Sequence, residues 1–193
     1  AGCYGSFIGR GYETLTEYGT LVERAACEGA DFIKIMISGI MDFDRFGVIT
    51  GEPYAPDEIR ELIRIAHAAG FRVMAHANGA RTVQTAAEAG VDSVEHGAYL
   101  DEAALRAMAE HGTLWTPTIV TIGNLIGCGR YPDEVLKPLF RLHAENIRRA
   151  AMLGVPIAVG SDAGAYRVLH AQGAADERRY LEDILGEDSE ALR

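Results

Sequence analysis

Residues 71–97 read FRVMAHANGARTVQTAAEAGVDSVEHG, and their order decides the fold class. An apolar run from Phe71 to Ala75 ends on His76. An Ala-rich stretch with helical periodicity follows and closes at Gly90, and a second apolar run then ends on His96. Glycine suits the position after a helix because it takes up left-handed backbone without a Cβ clash. Short runs rich in Val, Ile and Phe between such breaks read as buried parallel strands. The stretch is therefore strand, helix, strand, with a histidine at the same depth on both strands.

The same unit recurs on either side: AACEGADFIKIMIS (25–38), AAMLGVPIAVGSDAG (150–164) and the shorter MAEHGTLWTPT (108–118) each carry a helix end, a glycine and an apolar run. Helices are predicted over 12–28, 57–69, 80–89, 101–110 and 133–153, with five strands between and after them. In the second helix Ile59, Leu62, Ile63, Ile65 and Ala66 form one apolar face, as a helix covering a sheet requires. Alternation of α and β elements with short connections implies a parallel sheet, either open and doubly wound or closed as a (β/α)8 barrel. No G-x-G-x-x-G follows any strand, which argues against a dinucleotide-binding sheet.

At 193 residues and 48% hydrophobic the chain is long enough for one core, so a single domain over 1–193 is expected. A formal net charge of −10 repels nucleic acid and anionic membranes, which leaves a small molecule or dipeptide as the expected partner. Three cysteines without C-x-x-C spacing indicate neither a disulfide framework nor a thiolate zinc site, and fit a reducing cytoplasm. No apolar run approaches the roughly 18 residues of a membrane span. The chain begins with Ala1 rather than Met, which suggests that it was cut from something longer.

Aligned on their glycines, the units place Lys34, His76, His96 and Asp162 at or just past the C-terminal ends of successive strands. In a barrel those ends form one rim where side chains from different strands converge. Neutral imidazoles and a carboxylate suit zinc and similar divalent ions. Lys34 stands amid Phe32, Ile33, Ile35, Met36 and Ile37, where an unpaired ammonium would be costly to bury. It is expected to pair with Asp31 or Glu95, or else to act as a neutral amine that forms a Schiff base or takes up carbon dioxide. Tyr99 and His170 are weaker candidates for substrate contact. His67 and His143 fall within helices and read as structural or exposed, and Trp115 as core. The long segment GIMDFDRFGVITGE (39–52) reads as a rim loop that carries specificity.

GADFIKIMISG (29–39), IAHAAGFRVMAHANG (65–79), AAEAGVDSVEHGAYLDEAALRAMAEHGTLWTPTIV (86–120) and AAMLGVPIAVGSDAG (150–164) together resemble the amidohydrolase superfamily, in its imidazolonepropionase-related and Xaa-Pro dipeptidase (prolidase)-like branch. The resemblance implies a (β/α)8 barrel with two divalent metal ions, zinc by preference. Lys34 would be the carboxylated lysine of the fourth strand, His76 and His96 the histidines of the fifth and sixth, and Asp162 the aspartate of the eighth. It further implies hydrolysis of a C–N bond in an amide, cyclic amide or Xaa-Pro-like dipeptide. Metal-activated hydroxide would attack, with Asp162 as general base and then acid.

Two departures accompany it. The chain has no H-x-H pair, which the family carries on its first strand, so only strands four to eight of a partial catalytic barrel domain are expected, without the family's β-sandwich. HANG stands where HAHG is common in the dipeptidase branch. Two other readings compete: a Schiff-base aldolase using Lys34, suggested by ADFIK at a strand end, and an inactive truncated barrel. A homo-oligomer is also expected, since unpaired strand edges invite association.

Overall fold

A computed structural model describes residues 9–186 and Leu192. The chain runs α1 (Leu15–Cys27), β1 (Phe32–Met36), α2 (Pro56–Ala68), β2 (Arg72–Ala77), α3 (Ala80–Glu88), β3 (Ser93–His96), α4 (Glu102–His111), β4 (Leu114–Thr116), α5 (Val120–Gly123), α6 (Asp133–Met152) and α7 (Gln172–Leu185). The five expected helices are all present within a few residues, while α5 and α7 are additional. Helix starts follow local chemistry. Thr14 accepts a hydrogen bond from the Glu17 backbone and opens α1, Asp101 does the same for Ala104 at α4, and Pro56 occupies the first turn of α2.

The strands form one parallel sheet in the order β1-β2-β3-β4, so each strand pairs with its neighbour in the chain. Register places Lys34 beside Met74, Met74 beside Ser93 and Ser93 beside Leu114; one step on, Met36, His76, Glu95 and Thr116 align. Alternation along a strand puts these residues on one face and Ile33, Ile35, Val73, Ala75, Val94 and Trp115 on the other. The second set is apolar and, Ile33 apart, buried, and it joins residues of α1–α4 and α6 in the main core. Those helices pack side by side in chain order, α1 on α2, α2 on α3, α3 on α4 and α4 on α6, so they form a single layer over that face.

The fifth expected strand is much reduced. Ile157 makes a single parallel bridge with Trp115, through Trp115 N–H to Pro156 O at 2.9 Å and Ala158 N–H to Trp115 O at 2.8 Å. The next donor on β4 would come from residue 117, which is proline and has no N–H, so the ladder stops. Segment 155–160 nevertheless lies against β4, since a Cβ on Gly160 would come within 2.4 Å of Thr116 Cγ2. On the other edge, β1 pairs only with β2 among the described residues.

Candidate functional site

The residues that sequence reading places at strand ends do gather at one end of the sheet. His76 closes β2 and His96 closes β3, and their rings lie 4.6 Å apart, centroid to centroid, at 65°. Both are buried, at 3% and 8% exposed. Burial is the main cause that lowers the pKa of His76, opposed by the Gly39 hydrogen bond and Asp162 and reinforced by Lys34; His96 is driven well below the ordinary value by burial, then by His76, Lys34 and His143. Both imidazoles are therefore held neutral, the form in which a histidine donates a lone pair. Lys34 thus acts on both rings and Asp162 on His76.

Each imidazole has a distinct anchor. The Nε2–H of His76 donates to the Gly39 carbonyl at 3.0 Å, which makes Nδ1 the acceptor of that ring. His96 meets Thr118 through Nδ1, at 2.8 Å from Oγ1. Its backbone carbonyl accepts from the Trp115 indole at 3.0 Å. Asn78, the residue that distinguishes HANG, is buried and bonds three ways: its amide nitrogen donates to Gly39 O at 3.0 Å, its Oδ1 accepts from Ala98 N at 2.9 Å, and its backbone N–H donates to Ser38 Oγ at 2.8 Å. It thereby fastens the 38–54 loop to the ends of β2 and β3. Gly39 is indispensable there because a Cβ would fall 1.3 Å from the Thr50 carbonyl oxygen.

Two expectations change. Lys34 is exposed rather than buried, because β1 is an edge strand and Phe32, Lys34 and Met36 face away from the helices. Desolvation cannot be invoked at that amine, and neither Asp31 nor Glu95 pairs with it; Glu95 instead accepts a hydrogen bond from Ser93 Oγ at 2.8 Å. Tyr99 serves the loop: its hydroxyl accepts from Gly47 N–H at 3.0 Å, and its ring stacks edge-on against Phe46. His170 is exposed in the segment before α7. His143 is fully buried, with its pKa lowered to about 4 by burial, and its Nε2–H donates to Pro117 O at 3.0 Å. His67 pairs with Asp92 at 2.9 Å, remote from the strand ends. Cys27 and Cys128 are free thiols, and Cys3 lies outside the described residues.

Backbone strain is concentrated at this rim. Six described non-glycine residues have positive φ, and His96, Tyr99, Thr118 and Asp162 are four of them, at 71°, 58°, 50° and 54°. Such conformations cost about 1–3 kcal/mol each and persist where the surroundings impose them. Sequence reading missed Thr118, Glu177 and Asn78. Only Asn78 left a signal, in the departure from HAHG.

Whether these residues suit a divalent ion is a matter of donor chemistry and spacing. Two neutral imidazoles in contact and a nearby carboxylate are a fitting donor set. The spacing is not that of a closed site, since among the described residues no three His, Cys, Asp or Glu side chains converge on one point.

A model described as the amidohydrolase family matches residues 10–183. An uncharacterized protein of Mycobacterium tuberculosis is 33% identical over 145 residues, covering 72% of this chain and 39% of that protein. An imidazolonepropionase of Ectopseudomonas mendocina is 31% identical over 147 residues, 74% of this chain and 30% of the enzyme. Among solved structures, a prolidase complexed with N-methylphosphonate-L-proline superposes with a TM-score of 0.74 at 30% identity, over 98% of this chain and 48% of that one. The chain thus spans less than half the length of each of these three proteins. No helix among the described residues is long and apolar enough to cross a membrane.

Proposed function

The chain belongs to the amidohydrolase family, and from that premise we propose that it forms part of a metal-dependent hydrolase of C–N bonds, acting on dipeptides of the Xaa-Pro kind or on cyclic amides. The observation that carries this reading is the pair of neutral, buried imidazoles 4.6 Å apart at the ends of adjacent parallel strands, with Asp162 acting on His76. Relatives bearing the names prolidase and imidazolonepropionase support the substrate class.

In this reading His76 and His96 hold a divalent ion, zinc by preference. Lys34, as its carbamate, and Asp162 would stand beside them in the ligand set. When bound, such an ion lowers the pKa of a coordinated water toward about 7 and polarises a carbonyl. Asp162 is exposed on the strand-end side, where its carboxylate takes a proton from the attacking water and returns it to the departing nitrogen. The 38–54 loop, fixed by Asn78 and Tyr99, limits which side chains reach the rim. The Schiff-base alternative leaves His76, His96 and Asp162 without roles.

The test is to purify the protein with zinc supplied, measure bound metal by elemental analysis, and assay Xaa-Pro dipeptides and cyclic amides. Metal bound at His76 and His96 together with release of the amine product supports the reading. A metal-free protein that stays metal-free after zinc loading overturns it.

A further inference from the structure

The buried carboxylate of Glu177 has no place in the chemistry described so far. It stands on α7, is 0% exposed, and accepts backbone hydrogen bonds from Ile119 N at 3.1 Å and Val120 N at 2.7 Å. A charge-bearing group is enclosed in a core only where its bonds serve something. Those two donors belong to the turn immediately after Thr118, at the start of α5.

That turn is held from three more directions. His143 Nε2–H takes the Pro117 carbonyl at 3.0 Å, and the Thr121 hydroxyl takes the Thr118 carbonyl at 2.8 Å. Trp115, just upstream, bonds the His96 carbonyl and stacks edge-on with His143, ring centroids 5.5 Å apart. The result is a β-branched residue, Thr118, locked at φ 50°, a conformation that threonine does not adopt unaided. What the lock delivers is one contact: Thr118 Oγ1 at 2.8 Å from Nδ1 of His96.

The hydroxyl can accept from Nδ1–H or donate to Nδ1, and the partners within reach choose between the two. Thr118 follows β4, beside β3, and its Oγ1 is the hydrogen-bond partner of the His96 ring among the described residues. A ring N–H on Nδ1 finds an acceptor there, whereas no described group accepts one at Nε2. The proton therefore belongs on Nδ1, donated to Thr118, and the lone pair on Nε2.

We propose that Thr118, held in its left-handed conformation by the Glu177 carboxylate, is a positioning residue that fixes the His96 imidazole with its proton on Nδ1 and presents the Nε2 lone pair to the metal site. The proposal rests on the metal-dependent reading above for the word metal, but the positioning itself is a property of this chain alone. A partner that orients the far nitrogen of a ligating histidine typically contributes about 10–100-fold to metal affinity. Glu177 acts one step further away, through the turn rather than on the ring.

The experiment has two arms on the protein as it exists. The first records long-range 1H–15N correlations of the histidine rings in metal-free protein above pH 7, with T118V, T118S and E177Q beside the parent. The expected result is His96 protonated on Nδ1 in the parent and in T118S, lost in T118V, and a mixture of tautomers in E177Q, whose carboxamide can accept only through its single oxygen. T118A replaces T118V if the latter does not fold, judged by circular dichroism. The second arm titrates zinc against a chelator, where T118V and T118A should bind about 10–100-fold more weakly and T118S near the parent. His96 protonated on Nε2 in the parent, or a T118V ring indistinguishable from the parent, overturns the proposal. Zinc binding that is strong in the parent and unchanged in T118V also overturns it. A parent with the Nδ1 proton in place but no zinc bound upholds the positioning and sinks the metal-dependent reading instead.

Discussion

The two sides of the sheet were built under different demands. On the helix side Ile35, Val73, Ala75, Val94 and Trp115 are apolar, buried and in relaxed extended backbone. At the strand ends His96, Thr118 and Asp162 are polar and strained, with φ of 71°, 50° and 54°, and the first two are held by hydrogen bonds to each other and to their neighbours. The helix side obtains its stability from area removed from water, which any residue of the right size supplies. The rim obtains its geometry from particular atoms, and there a change of one atom matters.

Asp162→Asn should break that comparison most sharply. The amide keeps the size of the side chain and removes its basicity, so turnover should fall by about 10²–10⁴ with KM little changed and the melting temperature unmoved. Turnover at the parental rate in an active enzyme would remove Asp162 from the chemistry.

Trp115→Ala makes the opposite case. The indole is 0% exposed, so truncation should cost about 3–5 kcal/mol in urea unfolding. Phe32→Ala, of similar bulk but 47% exposed on the open face, should stay within about 0.5 kcal/mol. Equal losses at the two positions would mean that the open face is covered after all.

Legibility in the sequence divides along the same line. Helix-side residues announce themselves by periodicity, so α1–α4, α6 and four of the strands were readable from the apolar pattern and the glycines that follow those helices, while α5 and α7 were not. His76 and His96 were readable because a histidine at the end of an apolar run breaks the pattern. Glu177 was not: within AADERRYLED it reads as one charge among several on a solvated helix, and only the turn after Pro117 reveals its partners. Lys34 was misread because its neighbours are apolar. Burial depends on what lies across the sheet edge, and no local pattern encodes that.

Acid should separate the two regions next. Burial lowers the pKa of His76, His96 and His143, the last to about 4, so the unfolded chain takes up their protons near 6.5 while the folded chain does not. Their contribution is full above pH 6.5 and is lost as pH falls toward the folded values. Glu177 opposes them: burial raises it to about 7 from 4.5, so what its neutral form contributes is full below about 4.5 and is lost as pH rises to about 7. Just below pH 6.5 three histidines stand against Glu177, so the metal-free protein should lose stability on acidification there. His143→Phe should make that loss less steep, and an unchanged slope would show that His143 is not kept neutral by the fold.

The smallest effect expected is that of Tyr99→Phe, and it asks whether the rim loop belongs with the rigid scaffold or with the site. The hydroxyl accepts one hydrogen bond, from Gly47 N–H at 3.0 Å, while the ring keeps its edge-on contact with Phe46. Loss of one such bond costs about 0.5–1.5 kcal/mol. That cost falls on the loop, so the global unfolding midpoint should stay near the parent while amide exchange at Gly47 quickens. If Tyr99 only tethers the loop, KM should rise by the same factor for a dipeptide and for its C-terminal amide, because neither substrate meets the hydroxyl. If it also orients a substrate carboxylate, the rise should be confined to the free acid. A uniform rise assigns Tyr99 to the scaffold despite its φ of 58°, and places the boundary between the two regions inside the 38–54 loop rather than at the strand ends.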